Sequence, residues 1–320
     1  MMNEKKNRLL IFDILRIISI ILIVTLHVAE EKVPSLSSFL SPLLTNIGIG
    51  NIINDALGNW GVIIFIIVSG AVIEYTYGPK LNSNFNYRNF MEKRLIRVYP
   101  AYWFSLGLAI VFDKLFLNLP VSLVEFLKSF TGFQTYFQEQ VLGGEINGVG
   151  WFVGLIVVMY LLYPMLSKIL KEYGFPALFS IILFSYFIGM SLPTGAQNTP
   201  YWCPLARLSD FALGIYIIQA GKYPRYETKS QAIKFLSDLS FPMFLTNFFL
   251  ARMFRILPDE NYLNVVVYVF ALFFFSLVVY YFDIWFKTVY DTYRNRTIND
   301  LKRLYKLIYI ATVNTLYRQL

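Results

Sequence analysis

A single histidine, His27, serves a chain of 320 residues. It lies in LLIFDILRIISIILIVTLHVAEE, residues 9–31, an apolar run that also carries Asp13 and Arg16. A neutral imidazole can take a proton from a hydroxyl, and its unperturbed pKa of about 6.5 suits a general base. A guanidinium is a flat fork of donors that matches phosphate and carboxylate. The spacing aligns the two. Eleven steps of about 100° return to within roughly 20° of whole turns, so Arg16 and His27 share a helix face, about 16 Å apart along the axis. Asp13 is three residues before Arg16 and Glu31 is four after His27, so both neighbour that face. With Ser19 they form one polar stripe on a greasy helix. Charged groups inside a span are expensive and are functional candidates by default.

Other residues offer chemistry. In FMEKRLIRVYPAYWF, residues 90–104, the cations Lys93, Arg94 and Arg97 precede Pro100. Cations so closely spaced can reach several phosphate oxygens of one donor molecule. NWGVIIFIIVSGAVIEYTYG, residues 59–78, holds Ser69, whose small neighbours Gly70 and Ala71 permit close helix approach, and then Glu74. Trp151 opens a later apolar run, and Arg207 and Asp210 stand at i and i+3. Each has a structural alternative. His27 can be an interfacial histidine satisfied by water, and Arg16 a partner of Asp13 or Glu74. The basic trio can be ordinary loop charge, Trp151 a belt aromatic, and Arg207–Asp210 an intrahelical pair. One histidine, one cysteine (Cys203) and scattered carboxylates do not make a metal site.

The elements that must position these residues are membrane helices. The chain is 57% hydrophobic and 18% aromatic, with a mean hydropathy of +0.53. Soluble domains are nearer 45–50% apolar. The first apolar run is too long and too charged for a signal peptide, and no small-residue cleavage site follows it. The net charge of +8 is read as loop charge rather than a nucleic-acid surface, and no glycine-rich phosphate loop is present. The pattern predicts an all-α polytopic membrane protein of about eight spans, near 9–29, 59–77, 98–117, 151–168, 175–192, 205–221, 235–253 and 262–284. With the N-terminus inside, 21 of the 28 Lys and Arg fall in cytoplasmic segments and five outside, while Arg16 and Arg207 lie within spans. That bias places both termini in the cytoplasm. Residues 30–58 read as a loop, and 118–150 as an interfacial or partly re-entrant segment. Residues 1–286 form one membrane domain, and 287–320 a basic amphipathic tail lying on the cytoplasmic leaflet.

Six stretches in order resemble one family, the integral-membrane acyltransferases called acyltransferase 3, which O-acylate cell-surface carbohydrates. FDILRIISIILIVTLH is similar to its first-helix signature, with Asp13, Arg16 and His27 in place. GVIIFIIVSG, residues 61–70, is similar to its second-helix pattern. KRLIRVYPAYW resembles its Arg-x-x-Arg helix through Arg94 and Arg97. WFVGLIVVMYLLYP, RLSDFALG and FLSDLSFPMFLTN resemble three later helices. The resemblance covers residues 9 to about 284. Many members carry Trp-Ser-Leu-x-x-Glu where this chain has Trp151-Phe152-Val153-Gly154-Leu155-Ile156. The histidine that often closes the Ser-Tyr helix is here Asn247, and the family norm is about ten spans.

The resemblance implies transfer of an acetyl or other short acyl group from acyl-coenzyme A to a hydroxyl of a cell-surface polysaccharide or its lipid-linked precursor, in the cell membrane. His27, Arg16 and Asp13 would be catalytic. Lys93, Arg94 and Arg97 would hold the donor phosphates, with Glu31, Ser69, Glu74, Trp151, Arg207 and Asp210 in support. The partners implied are acyl-coenzyme A as donor substrate, with no permanently bound cofactor, a carbohydrate acceptor, the bilayer and glycan-synthesis proteins. Two other classes stand beside it: a polysaccharide transporter or flippase-like protein whose path the polar stripe lines, and an inactive scaffold partner of a glycan-synthesis complex. One geometric difficulty is explicit. The charge bias sets His27 near the outer face and the basic trio at the inner mouth.

Overall fold

A computed structural model describes residues 8–30, 50–81, 85–117, 121–134, 146–192, 199–254 and 262–317. The chain divides into two compact units, residues 1–280 and 281–320. The described residues are almost entirely helical. The helices are α1 (Leu10–Glu30), α2 (Gly50–Tyr77), α3 (Tyr87–Phe112), α4 (Leu123–Thr131), α5 (Trp151–Ser191), α6 (Leu208–Gln219), α7 (Gln231–Phe254) and α8 (Tyr262–Tyr317). Four described stretches are long and apolar enough to cross a membrane: Asn59–Lys80, Tyr87–Phe116, Gly148–Ser191 and Val266–Thr297. α6 is a shorter apolar helix. α1 has 21 residues, roughly 32 Å of helix against a hydrocarbon core of about 30 Å.

The expected spans 151–168 and 175–192 appear as the two arms of α5. They meet at Gly174, where φ is 59° and ψ −133°. That backbone conformation strains any residue with a Cβ, and Pro176 just beyond it removes a further donor. The second arm presents Phe175, Phe179, Phe184, Tyr186, Phe187 and Met190 to the surroundings, as does the start of α8 with Val266, Val267, Phe270 and Phe274. Such contiguous apolar surface is what lipid contact requires.

The core of the first unit is built on α2. Gly70 and Gly214 let α2 and α6 approach backbone to backbone. A Cβ at Gly214 would lie 2.0 Å from the Ile67 carbonyl, and one at Gly70 2.3 Å from that of Phe211. α1 packs on α2 and α7, burying Phe12, Ile20 and Ile23. In the second unit the helix continues, with Lys287 paired to Asp283. Of the sequence-expected tail, 287–320, the described residues 287–317 lie within α8.

α4 shows what residues 118–150 do where they are described. A capping box starts it: Ser122 accepts from the Glu125 amide while the Glu125 side chain accepts from Ser122 N–H. Gly132, at φ 77°, ends it. The last carbonyls are then satisfied by α3. Tyr99 Oη donates to Thr131 O at 2.8 Å and Trp103 Nε1 to Phe130 O at 2.9 Å. Tyr102 Oη donates to Ser129 O. Tyr99 is thirteen residues from Phe112, roughly 20 Å along α3. The C-terminal end of α4 thus lies against the middle of α3, with its last carbonyls capped by α3 side chains.

Candidate active site

Two helices bring the predicted arginines together. Arg16 of α1 and Arg94 and Arg97 of α3 line one cavity of about 100 Å³, with Ser69 of α2, Tyr160 of α5 and Ser237 and Ser240 of α7. Its apolar wall includes Phe65, Val72, Phe152 and Phe241. The α-helical period sets Arg94 and Arg97 three residues apart on neighbouring faces of α3, and both line the cavity, whereas Lys93 stands outside its lining.

The charges in this cavity are unevenly balanced. Arg16 lies 3.5 Å from Asp13. That carboxylate is already engaged: it accepts from Arg8 at 2.6 and 3.2 Å, from Thr228 at 2.6 Å and from Ser237 at 2.7 Å. Arg8 also pairs with Asp238 at 2.8 Å. Asp13 is therefore the hub of a clasp joining the start of α1, the 222–230 connection and α7. The Leu10 amide adds a bond to Tyr226 O at 2.8 Å and the Thr228 amide one to Arg8 O at 2.9 Å. Arg94 donates to Tyr77 Oη at 3.3 Å and lies over the Tyr77 ring, while its buried Nε has no partner. Among the described residues no carboxylate pairs with Arg94 or Arg97. Three guanidiniums line this cavity and one of them shares the Asp13 carboxylate, a donor set whose chemistry suits an anion.

His27 lies one polar stripe further along α1. Its Nδ1 meets Asn247 Oδ1 of α7, and its ring stands edge-on to Phe248, centroids 5.5 Å apart. Gly148 makes room for that ring, since a Cβ there would sit 2.6 Å from Phe248 carbons. Arg16 and His27 lie about 16 Å apart along the helix, roughly half the depth of a hydrocarbon core. The gap between the cations and the base is therefore one stretch of α1, because the trio's two arginines gather around Arg16. Glu31 lies outside the described residues.

The remaining predicted residues are held structurally. Glu74 is buried and accepts from Tyr163 at 3.0 Å, Ser167 at 2.7 Å and Gln219 at 3.0 Å, joining α2, α5 and α6. The carboxylate beside Arg16 is thus Asp13, not Glu74. Ser69 lines the cavity, but its hydroxyl donates to Phe65 O at 2.8 Å. Trp151 is buried against Tyr201 and Phe152. Arg207 donates to Asn59 Oδ1 at 2.5 Å and Tyr201 O at 3.0 Å, and pairs with Asp210 at 3.5 Å. It ties α2 to α6, away from the cavity lining. Sequence reasoning missed Tyr160, Ser237 and Ser240. The two serines at i and i+3 in an apolar helix were the available signal; a tyrosine among many carried none.

A family model described as an acyltransferase domain matches residues 9–225, which takes in Arg16, His27, Arg94 and Arg97 and stops short of α7. "Putative acetyltransferase ORF330" of Acidianus two-tailed virus is 25% identical over 212 residues, 62% of this chain. The chain spans 59% of that relative's length. No solved structure matches.

Proposed function

This chain belongs to the acyltransferase 3 family, and we propose that it moves an acetyl or other short acyl group from acyl-coenzyme A to a hydroxyl of a cell-surface polysaccharide or its lipid-linked precursor. The observation that carries the reading is the cavity where Arg94 and Arg97 of α3 converge on Arg16, which shares α1 with the sole histidine. With the orientation the loop charge implies, this cavity faces the cytosolic half of the bilayer, where coenzyme A is available.

The donor's phosphates bind at Arg94 and Arg97. The flexible pantetheine arm then follows the polar stripe of α1 toward His27, carrying the thioester. His27 takes the proton from the acceptor hydroxyl as the oxygen attacks the thioester carbonyl. The tetrahedral intermediate collapses, the C–S bond breaks, and the thiolate recovers the proton from the imidazolium. The products are the ester and free coenzyme A. Proton transfer of this kind contributes about 10²–10⁴-fold. Arg16 steadies the donor as it passes, and Asp13 holds Arg16 in place.

Membranes from cells producing the chain, given acetyl-labelled coenzyme A, test this. Label should pass to envelope carbohydrate with release of free thiol. Arg97→Gln should raise the KM for acetyl-coenzyme A about tenfold or more, the loss of one charge-assisted contact. Lys93→Gln should leave it near the native value. An equal effect of both substitutions would refute the cavity as the donor site.

A further inference from the structure

Asn247 presents its amide to His27 in a determined orientation. Its nitrogen donates to the carbonyls of Met243 and Phe244, at 3.1 and 2.7 Å. An amide has donors only on nitrogen and acceptors only on oxygen. Two carbonyl partners therefore identify the nitrogen end, and the atom turned to His27 Nδ1 is the oxygen. An acceptor facing a ring nitrogen requires a proton on that nitrogen.

We propose that Asn247 is the positioning residue of His27: it keeps the proton on Nδ1 and leaves the Nε2 lone pair to take the acceptor hydroxyl's proton. The catalytic role of that lone pair rests on the acyl-transfer reading, whereas the tautomer does not. In water the neutral ring favours the opposite form, with hydrogen on Nε2, so the protein must select this one. Asn247 is suited to selection. It is fully buried in α7, its carbonyl accepts from Tyr268 Oη at 3.4 Å, and the neighbouring Phe248 ring restrains the imidazole edge-on. As a neutral acceptor it fixes the tautomer without adding a charge. During turnover the Nδ1–H bond to Asn247 persists, while Nε2 alone gains the hydroxyl proton and returns it to the leaving thiolate.

The single histidine makes the test direct. Protein carrying 15N-labelled histidine, purified through a tag without histidine, gives the ring nitrogens of His27 alone. At pH 7.5, NMR of the native chain in lipid should show Nδ1 protonated and Nε2 bare. Asn247→Leu should lose that preference, and acetyl transfer should fall by about 100-fold or more. Asn247→Asp keeps an oxygen acceptor, so it should keep the proton on Nδ1; because it loses the donor to the Met243 and Phe244 carbonyls and adds a charge, the Nδ1 proton and not the rate is its readout. A native chain with its proton on Nε2 would overturn the proposal whether or not the variants fold. So would an Asn247→Leu protein with unchanged tautomer and rate. A native chain that shows the expected tautomer but transfers no acetyl supports the Asn247–His27 pairing and refutes acyl transfer instead.

Discussion

Arg16 and His27 lie eleven positions apart, which puts both on one face because a helix returns to phase there. The partners of these residues were not legible. Asn247 lies 220 residues from His27, and nothing local in either stretch predicts the meeting. Lys93 and Arg94 looked equivalent as neighbours in one basic run. Only the packing of α3 separates them, turning Arg94 into the cavity and Lys93 outward. The residue-scale prediction concerns Ser69, whose hydroxyl is already bonded to the Phe65 carbonyl. Ser69→Ala should therefore keep acetyl transfer within about threefold of native, since losing an intrahelical hydrogen bond of this type costs about 1 kcal/mol. A loss as large as that expected for His27→Ala would instead make Ser69 a covalent nucleophile.

Helices explain why the site holds its shape. The spans near 9–29, 59–77, 98–117 and 235–253 were readable as helices because long apolar runs leave few alternatives. The break at Gly174 was readable as a gap between two spans. The clasp around Asp13 was not, because Arg8, Thr228, Ser237 and Asp238 come from three separated segments. Asp13→Ala removes the hub and leaves its donors facing one another. Breaking a buried pair costs about 3–5 kcal/mol, and here the lower end, about 3, is expected because Arg8 reaches solvent. Thermal denaturation in detergent measures this, and a loss under about 1 kcal/mol would show that the clasp is not a fastening. The α2–α6 contact predicts a second loss. Gly214→Ala drives a Cβ toward the Ile67 carbonyl, and the strain should cost about 1–3 kcal/mol by the same measurement.

For the whole molecule, composition and loop charge gave an all-α membrane protein, and the helices agree with that class. The contact of α4 with α3 was beyond the reach of charge counting, since it depends on tyrosine and tryptophan donors meeting helix-end carbonyls. Orientation has its own test in Cys203, the sole cysteine, which is partly exposed. It falls in an outer connection of the charge-based topology, so a membrane-impermeant maleimide should label it in intact cells. Labelling only after the membranes are opened or inverted would reverse the topology and move the arginine cavity away from cytosolic coenzyme A. The central claim is acyl transfer that depends on the histidine of α1. The most direct measurement is the passage of label from acetyl-coenzyme A to envelope carbohydrate by membranes bearing native or His27→Ala protein at matched abundance. Transfer by the native chain, reduced by about 100-fold or more in the variant, is the predicted result. Equal transfer by both proteins would contradict it.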